Sequence, residues 1–208
     1  MKSTGAFFLL ASAVVGGCSG TLSAPDGGTG SGGSSGTAGT GGTGGVSYDA
    51  AAIPPDLRDQ LSAAATTWAN AKGQCPLYSY DRRWTSVFGG GASTAVEIQN
   101  DLATRRRYST HTADGGLDVG SWMTVWDERS ADVGSHGTSW SIFPASTVEQ
   151  LLAECASLLA HDPAAYTLRL GVDEHGVPTE CTYVPVGCVD DCLAGITIAS
   201  FDCAPLAN

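Results

Sequence analysis

The stretch STVEQLLAECASLLAHDPAAYTLRLGVDEHGVPTECTYVP, residues 146–185, decides the fold. Ser146-Thr147-Val148-Glu149 predicts a capping box, in which the Ser146 hydroxyl and the Glu149 carboxylate satisfy amide groups left free at a helix start. Val148, Leu151, Leu152, Cys155, Leu158 and Leu159 then recur as one apolar stripe, and His161-Asp162-Pro163 ends the helix. Beyond it, 166–172 and 177–184 read as strands joined by a hairpin turn at Asp173-Glu174-His175-Gly176. A last strand is expected at 195–201.

Working outward towards the amino terminus, Pro54-Pro55-Asp56 opens a second helix. Leu57, Leu61, Ala64, Trp68 and Ala71 share one face over about sixteen residues, and Gly73 stands just past the end. The segment 77–85 (LYSYDRRWT) alternates so that Tyr78, Tyr80, Arg82 and Trp84 lie on one face of a strand. Strands at 93–99 and 102–108 flank a tight turn at Asn100-Asp101. Residues 109–145 are less regular. Trp122, Thr124 and Trp126 alternate with Met123 and Val125 as one more strand, and 132–139 reads as an exposed loop. The predicted fold class is α+β, with two helices packed on a mostly antiparallel sheet. It divides into two halves of one helix and about three strands, because one such unit alone would leave its sheet face wet.

The STVEQLLAECASLL helix, Gly176-Val177-Pro178, the strand TECTYVP, CVDDC and ITIASF resemble a family of bacterial secreted and lipoprotein domains of unknown function. Tyr78-Ser79-Tyr80 is similar to the Tyr-x-Tyr strand near the start of such domains. The resemblance implies an extracytoplasmic location and this fold, and it supplies no activity.

The first 45 residues read as address and tether. Lys2 is a positive start, Ala6 to Val15 is an apolar run of signal-peptide length, and Val15-Gly16-Gly17-Cys18 resembles a lipobox, with Cys18 the lipidated residue. In families of this kind Asp after the lipidated Cys favours inner-membrane retention. Ser19 stands there, so the outer membrane is the expected destination. Residues 19–45, rich in Gly, Ser and Thr, form a flexible coil with a reach of about 30 Å. That leaves 46–208 as a single extracytoplasmic domain.

The chain has 7 cysteines, so assigning Cys18 to lipid leaves an even set: Cys75, Cys155, Cys181, Cys188, Cys192 and Cys203. In an oxidising compartment these predict three disulfides. The simplest expectation pairs Cys75 with Cys155, Cys181 with Cys203 and Cys188 with Cys192. The spacing of the last four does not resemble the paired knuckles of a zinc site.

With a net charge of −11, the chain repels phosphate backbones and anionic headgroups, which argues against nucleic acid as a partner. Candidate chemistry is sparse. No Gly-x-Ser-x-Gly nucleophile elbow accompanies Ser135-His136. Asp173, Glu174, Asp190 and Asp191 carry oxygen ligands suited to calcium without the spacing of a calcium loop. Arg105-Arg106-Arg107 splits across a strand, Arg106 facing opposite to its neighbours, with salt pairing to the acidic C-terminal half expected. Tyr78, Tyr80, Trp84, Trp122, Trp126 and Trp140 supply either core or a carbohydrate- or peptide-binding face. The expectation is a lipid-anchored envelope protein with no cofactor, no metal and no catalytic set. Its role is binding or accessory, with an unknown envelope protein or polymer as partner. The alternatives are a hydrolase acting on envelope polymers, for which His111, His136 or His161 would have to meet carboxylates in a pocket, and a proteinaceous inhibitor of an exported enzyme.

Overall fold

The computed structural model describes residues 52–86, 90–111, 122–190 and 192–207. The expected signal segment with Cys18, the expected tether at 19–45 and Asp191 lie outside the described residues. The elements run α1 (Pro55–Ala71), β1 (Leu77–Thr85), β2 (Gly91–Gln99), β3 (Leu102–His111), β4 (Met123–Arg129), α2 (Val148–Leu159), β5 (Tyr166–Val172), β6 (Pro178–Pro185) and β7 (Ala194–Asp202), with single 3-10 turns at Lys72–Gln74 and Ser130–Asp132. These seven strands form one sheet in the order β4-β3-β2-β1-β7-β6-β5, and every neighbouring pair is antiparallel. Among the described residues the fold is therefore α+β with two helices, as its hydrophobic periodicity predicts. The first half places its first strand at the junction of the halves, the second half its last.

Two turns set the register. Asn100 and Asp101 both adopt positive φ, 49° and 65°. This is the geometry of a two-residue hairpin whose twist matches its strands. In the β5–β6 hairpin, Asp173 Oδ1 accepts from the amides of His175 (2.9 Å) and Val177 (2.8 Å). Gly176 follows at φ 84°. A Cβ there would run into the Ala64 carbonyl oxygen, so only glycine lets this hairpin tip rest directly on the backbone of α1.

The core lies between the helices and one sheet face. Trp68 of α1 meets Tyr78 edge-on at 5.2 Å and Phe201 at 5.9 Å, an arrangement that the charge distribution of aromatic rings favours. Val148, Leu151, Cys155 and Leu159 of α2 are fully buried in one cluster with Val177, Cys181 and Ile196. The two core tyrosines also fasten α2. Tyr80 Oη donates to the Ser146 carbonyl (2.7 Å) and accepts from the Ser146 amide (3.1 Å), and Tyr78 Oη accepts from the Val148 amide (3.2 Å). Burial pushes the Tyr78 phenol up to about 12 although the Val148 amide works the other way, so it stays neutral across the physiological range.

That fastening moves the cap by one residue. The capping box is Thr147 with Gln150, not Ser146 with Glu149: Thr147 Oγ1 accepts from the Gln150 amide (3.3 Å), and Gln150 Oε1 accepts from the Thr147 amide (2.8 Å). The Ser146 backbone is held by Tyr80. Glu149 crosses to α1 instead, where its carboxylate accepts from Trp68 Nε1 (3.1 Å) and pairs with Lys72 (2.5 Å).

Cysteine pairing departs from expectation at two bonds, while Cys188–Cys192 forms as expected. Cys75 joins Cys203, Cys155 joins Cys181, and Cys188 joins Cys192, with Cα separations of 5.0, 5.5 and 6.3 Å. Cys181 stands opposite Ile196 across the β6–β7 ladder. At a strand rise of about 3.3 Å per residue, that leaves Cys203 about 23 Å further along. The start of β1 lies beside the end of β7, where Ser79 faces Asp202, and this brings Cys75 to Cys203. Cys155 belongs to the buried stripe of α2 that covers β6.

Chain entropy ranks the three bonds by the loops they close, which span 128, 26 and 4 residues. Paired Cys→Ala replacement is expected to cost about 5, about 3.5 and about 2 kcal/mol respectively. Urea denaturation of the three double variants checks that order. Equal losses, or the largest loss at Cys188–Cys192, contradict it.

Candidate functional site

The sheet splits at its centre. β1 pairs with β7 only through Ser79–Arg82 against Ile198–Asp202, with a bulge between Asp81 and Arg82. Past Arg82 the strands part company: Arg83, Trp84 and Thr85 remain paired to β2, and Ala194–Thr197 remain paired to β6. Between them opens a cleft of about 810 Å³. Ligand sites usually measure roughly 300 to roughly 1000 Å³, so the cleft is of ligand-binding size.

Arg82 closes its inner end. The side chain shares a sheet face with Tyr78 and Tyr80 and is 4% exposed. It forms a two-pronged pair with Glu154 of α2 (2.9 and 2.7 Å) and donates to the Gly195 carbonyl (3.3 Å). Its guanidinium lies 4.2 Å from the centre of the Phe143 ring. The carboxylate pair and the ring contact suit a planar, delocalised cation. Its buried Nε has no acceptor among the described residues. Gly195 sits at φ 132°, and a Cβ there would overlap the Cys181 carbonyl oxygen, so β7 can start this close to β6 only with glycine. Trp84 and Trp140 meet edge-to-face at 4.8 Å on one wall, and Trp140 is 72% exposed. Tyr183, stacked on His161 at 4.0 Å, and Leu193 belong to the other wall.

The loop carrying Trp140 is fixed by a buried ion pair on the same sheet face. Arg106 and Glu128, each 1% exposed at the side chain, lie opposite one another on β3 and β4 and bond at 2.8 and 3.0 Å. Glu128 further accepts from the amides of Gly134 (2.7 Å) and His136 (2.7 Å), from Ser135 Oγ (3.0 Å) and from His136 Nδ1 (2.9 Å). Arg106 also donates to the carbonyls of Gly137 (2.9 Å) and Phe143 (3.4 Å), and Thr94 Oγ1 accepts from the Phe143 amide (3.2 Å). Both ends of the Trp140 segment are thus tied to the sheet. Burial works to raise the Glu128 carboxyl, but Arg106, the two loop amides and the His136 side chain together hold it far below the usual carboxylate range. On the opposite face the Arg105 guanidinium, helped by Arg129, holds Asp127 down at about 2.

These placements sort the sequence candidates. Ser135 and His136 do come together, at 3.4 Å, but both approach the same oxygen of Glu128, and Ser135 meets the same imidazole nitrogen that Glu128 occupies. A nucleophile and its orienting acid need opposite nitrogens of the ring, so no proton relay runs here. His111 lies near Trp122 and His175 near Phe201, and among the described residues lining the cleft there is no histidine, His136 and His161 included. Asp173 is engaged in its turn, Glu174 is solvent-facing, Asp190 borders the cleft, and no group of three or more metal-ligating side chains converges among the described residues.

The arginine triplet alternates across β3 as predicted, but its carboxylate partners are Asp127 and Glu128 on the adjacent strand, not the acidic C-terminal half. What that half supplies is backbone: the carbonyls of Leu206 and Ala207 accept from Arg105 (3.5 Å) and Arg107 (3.0 Å). Of the aromatic candidates, Tyr78 and Tyr80 are core, Trp126 stacks on His136 (4.6 Å) and Tyr108 (5.4 Å), and Trp122 lies 5.1 Å from the Arg83 guanidinium. Trp84 and Trp140 line the cleft. The Arg82–Glu154 pair had a readable cue, since an arginine in phase with two core tyrosines requires a buried partner. Glu128 had none.

Comparison of the chain with protein-family models, with curated proteins and with solved structures returns no match in any of the three.

Glu128→Gln leaves Arg106 buried and unneutralised, for an expected loss of about 3–5 kcal/mol. Because the carboxyl is depressed in the folded state, that gap is complete above the ordinary carboxylate range and narrows as the pH falls below about 4.5. Denaturation of both proteins from about pH 7 down to about pH 2 checks the sign. A gap that widens on acidification contradicts it.

Proposed function

We propose that this chain is a lipid-anchored protein of the bacterial cell envelope. Its extracytoplasmic domain binds a ligand in the split of the sheet and carries out no covalent chemistry. Support for the location comes from the cysteines: the six that remain when Cys18 is assigned to lipid all fall into pairs, which suits an oxidising compartment. The apolar leader, the lipobox at Val15–Cys18 and the tether at 19–45 fit the same reading, and Ser19 favours the outer membrane.

One observation carries the binding role. The cleft combines a projecting Trp140 on a segment tied at both ends with an inner arginine already neutralised by Glu154. An exposed indole held rigidly loses little entropy on contact, which is what a binding surface needs. A hydrolase needs a free acid or base next to a nucleophile; among the described residues lining the cleft Glu154 is engaged by Arg82, no histidine is present, and the remaining carboxylate, Asp190, is exposed at the border.

Two measurements test this on the protein purified from envelopes. Mass spectrometry is expected to show an amino-terminal, acylated Cys18, and Cys18→Ser is expected to leave the membrane fraction. A photo-crosslinking residue at Trp140 is expected to capture an envelope component that the same residue at exposed Asp59 does not. An unacylated, uncleaved amino terminus overturns the location, and equal capture from the two positions overturns the cleft.

A further inference from the structure

We propose that the split between β1 and β7 accepts an extended peptide segment of another envelope protein as an inserted strand. This rests on the binding role of the cleft and adds the class of ligand. Two strand edges face the same cleft: Arg83–Thr85 on one side, Ala194–Thr197 on the other. Each is laddered to its outer neighbour and, among the described residues, has no strand partner towards the cleft, the Gly195 carbonyl being engaged by the Arg82 side chain. A chain laid between them gains main-chain hydrogen bonds on both flanks, the interaction that gives strand addition its affinity. The edges are three and four residues long. At a rise of about 3.3 Å per residue, the inserted segment is about 10–13 Å long.

Side-chain alternation gives the specificity. Trp84 shares the face of Tyr80, and Tyr183 that of Cys181, so inserted residues turned to the helix side meet Trp84, Trp140, Leu158 and Tyr183. Residues turned the other way meet Arg83, Thr85 and Thr197. The segment therefore alternates apolar with polar residues. The net charge of −11 favours a neutral or basic one. A glycan would use the indole of Trp140 but has no ladder of donors and acceptors to match two strand edges.

The test uses the full acylated chain in detergent micelles and an array of peptides about ten residues long, alternating apolar and polar, beside scrambled controls. Alternating peptides are expected to bind and to slow amide exchange at both Arg83–Thr85 and Ala194–Thr197. N-methylation at any central residue is expected to weaken binding about tenfold, because an inserted strand bonds on both flanks and no position is spared. Trp140→Ala is expected to weaken it to a similar extent with all three disulfides intact.

Several results overturn the proposal: protection at the outer strands β4 or β5, sensitivity to methylation only at alternate residues, or equal binding of scrambled peptides. Trp140-dependent binding of soluble peptidoglycan strands with no peptide bound sinks the inserted strand but leaves the binding role. Trp140-independent behaviour of both probes takes down both.

Discussion

A single short ladder, Ser79–Arg82 of β1 against Ile198–Asp202 of β7, is the strand pairing through which the two halves of the sheet become one. Other features of the centre reinforce it. Cys75–Cys203 clamps one end, Phe201 packs on Tyr78 and Trp68, and Arg82 reaches across the other end to Gly195. The helices span the same junction: α2 is fastened to β1 by two tyrosine hydroxyls and to β6 by Cys155–Cys181, while α1 holds α2 through Glu149. A ladder this brief leaves the rest of both strands unjoined, so the feature that unites the halves also creates the cleft.

Charge placed inside the sheet keeps this arrangement specific. Arg82 and Arg106 sit on the helix-side face, where an unpaired guanidinium would be costly, and each finds a two-pronged carboxylate. Their partners differ in consequence. Glu154 comes from α2, so the first pair fixes where the helix rides over the β1–β7 junction. Glu128 comes from the adjacent strand and then gathers three residues of the following loop, so the second converts an irregular segment into a support for Trp140. Apolar side chains of similar size could fill either space, but neither would dictate which loop amides approach.

Local chemistry made much of this fold legible. The stripe of α2, the alternation of Tyr78, Tyr80 and Arg82, the Asn100-Asp101 turn and the outward–inward flip of the three arginines each follow from residues within one element. The misreadings share a cause, which is contact across long sequence separations. Ser146 looks like a cap until Tyr80, far upstream, takes its backbone, and the box then forms one residue later. The cysteine pairs depend on which residues of β6 and β7 face one another, a register that no periodicity encodes. For the candidate site, Trp140 and Arg82 were visible as residue types, but the cleft itself depends on where two distant strands stop pairing.

An open edge inside a sheet normally closes, because paired backbone groups are the cheaper state and bare edges invite aggregation. Here closure is obstructed from within. The bulge between Asp81 and Arg82 turns the strands apart, Arg82 fills the inner corner with a guanidinium held by Glu154 and Gly195, and Gly195 draws the start of β7 towards β6 rather than β1. Beyond that corner Arg83, Trp84, Thr85, Ala194, Gly195 and Thr197 all keep some exposure, and backbone groups that reach water carry little desolvation penalty when left unladdered. Aggregation is countered by geometry: the exposed edges are only three and four residues long and lie beside walls carrying Trp140 and Tyr183, a space that suits one extended chain better than the flat edge of a folded sheet.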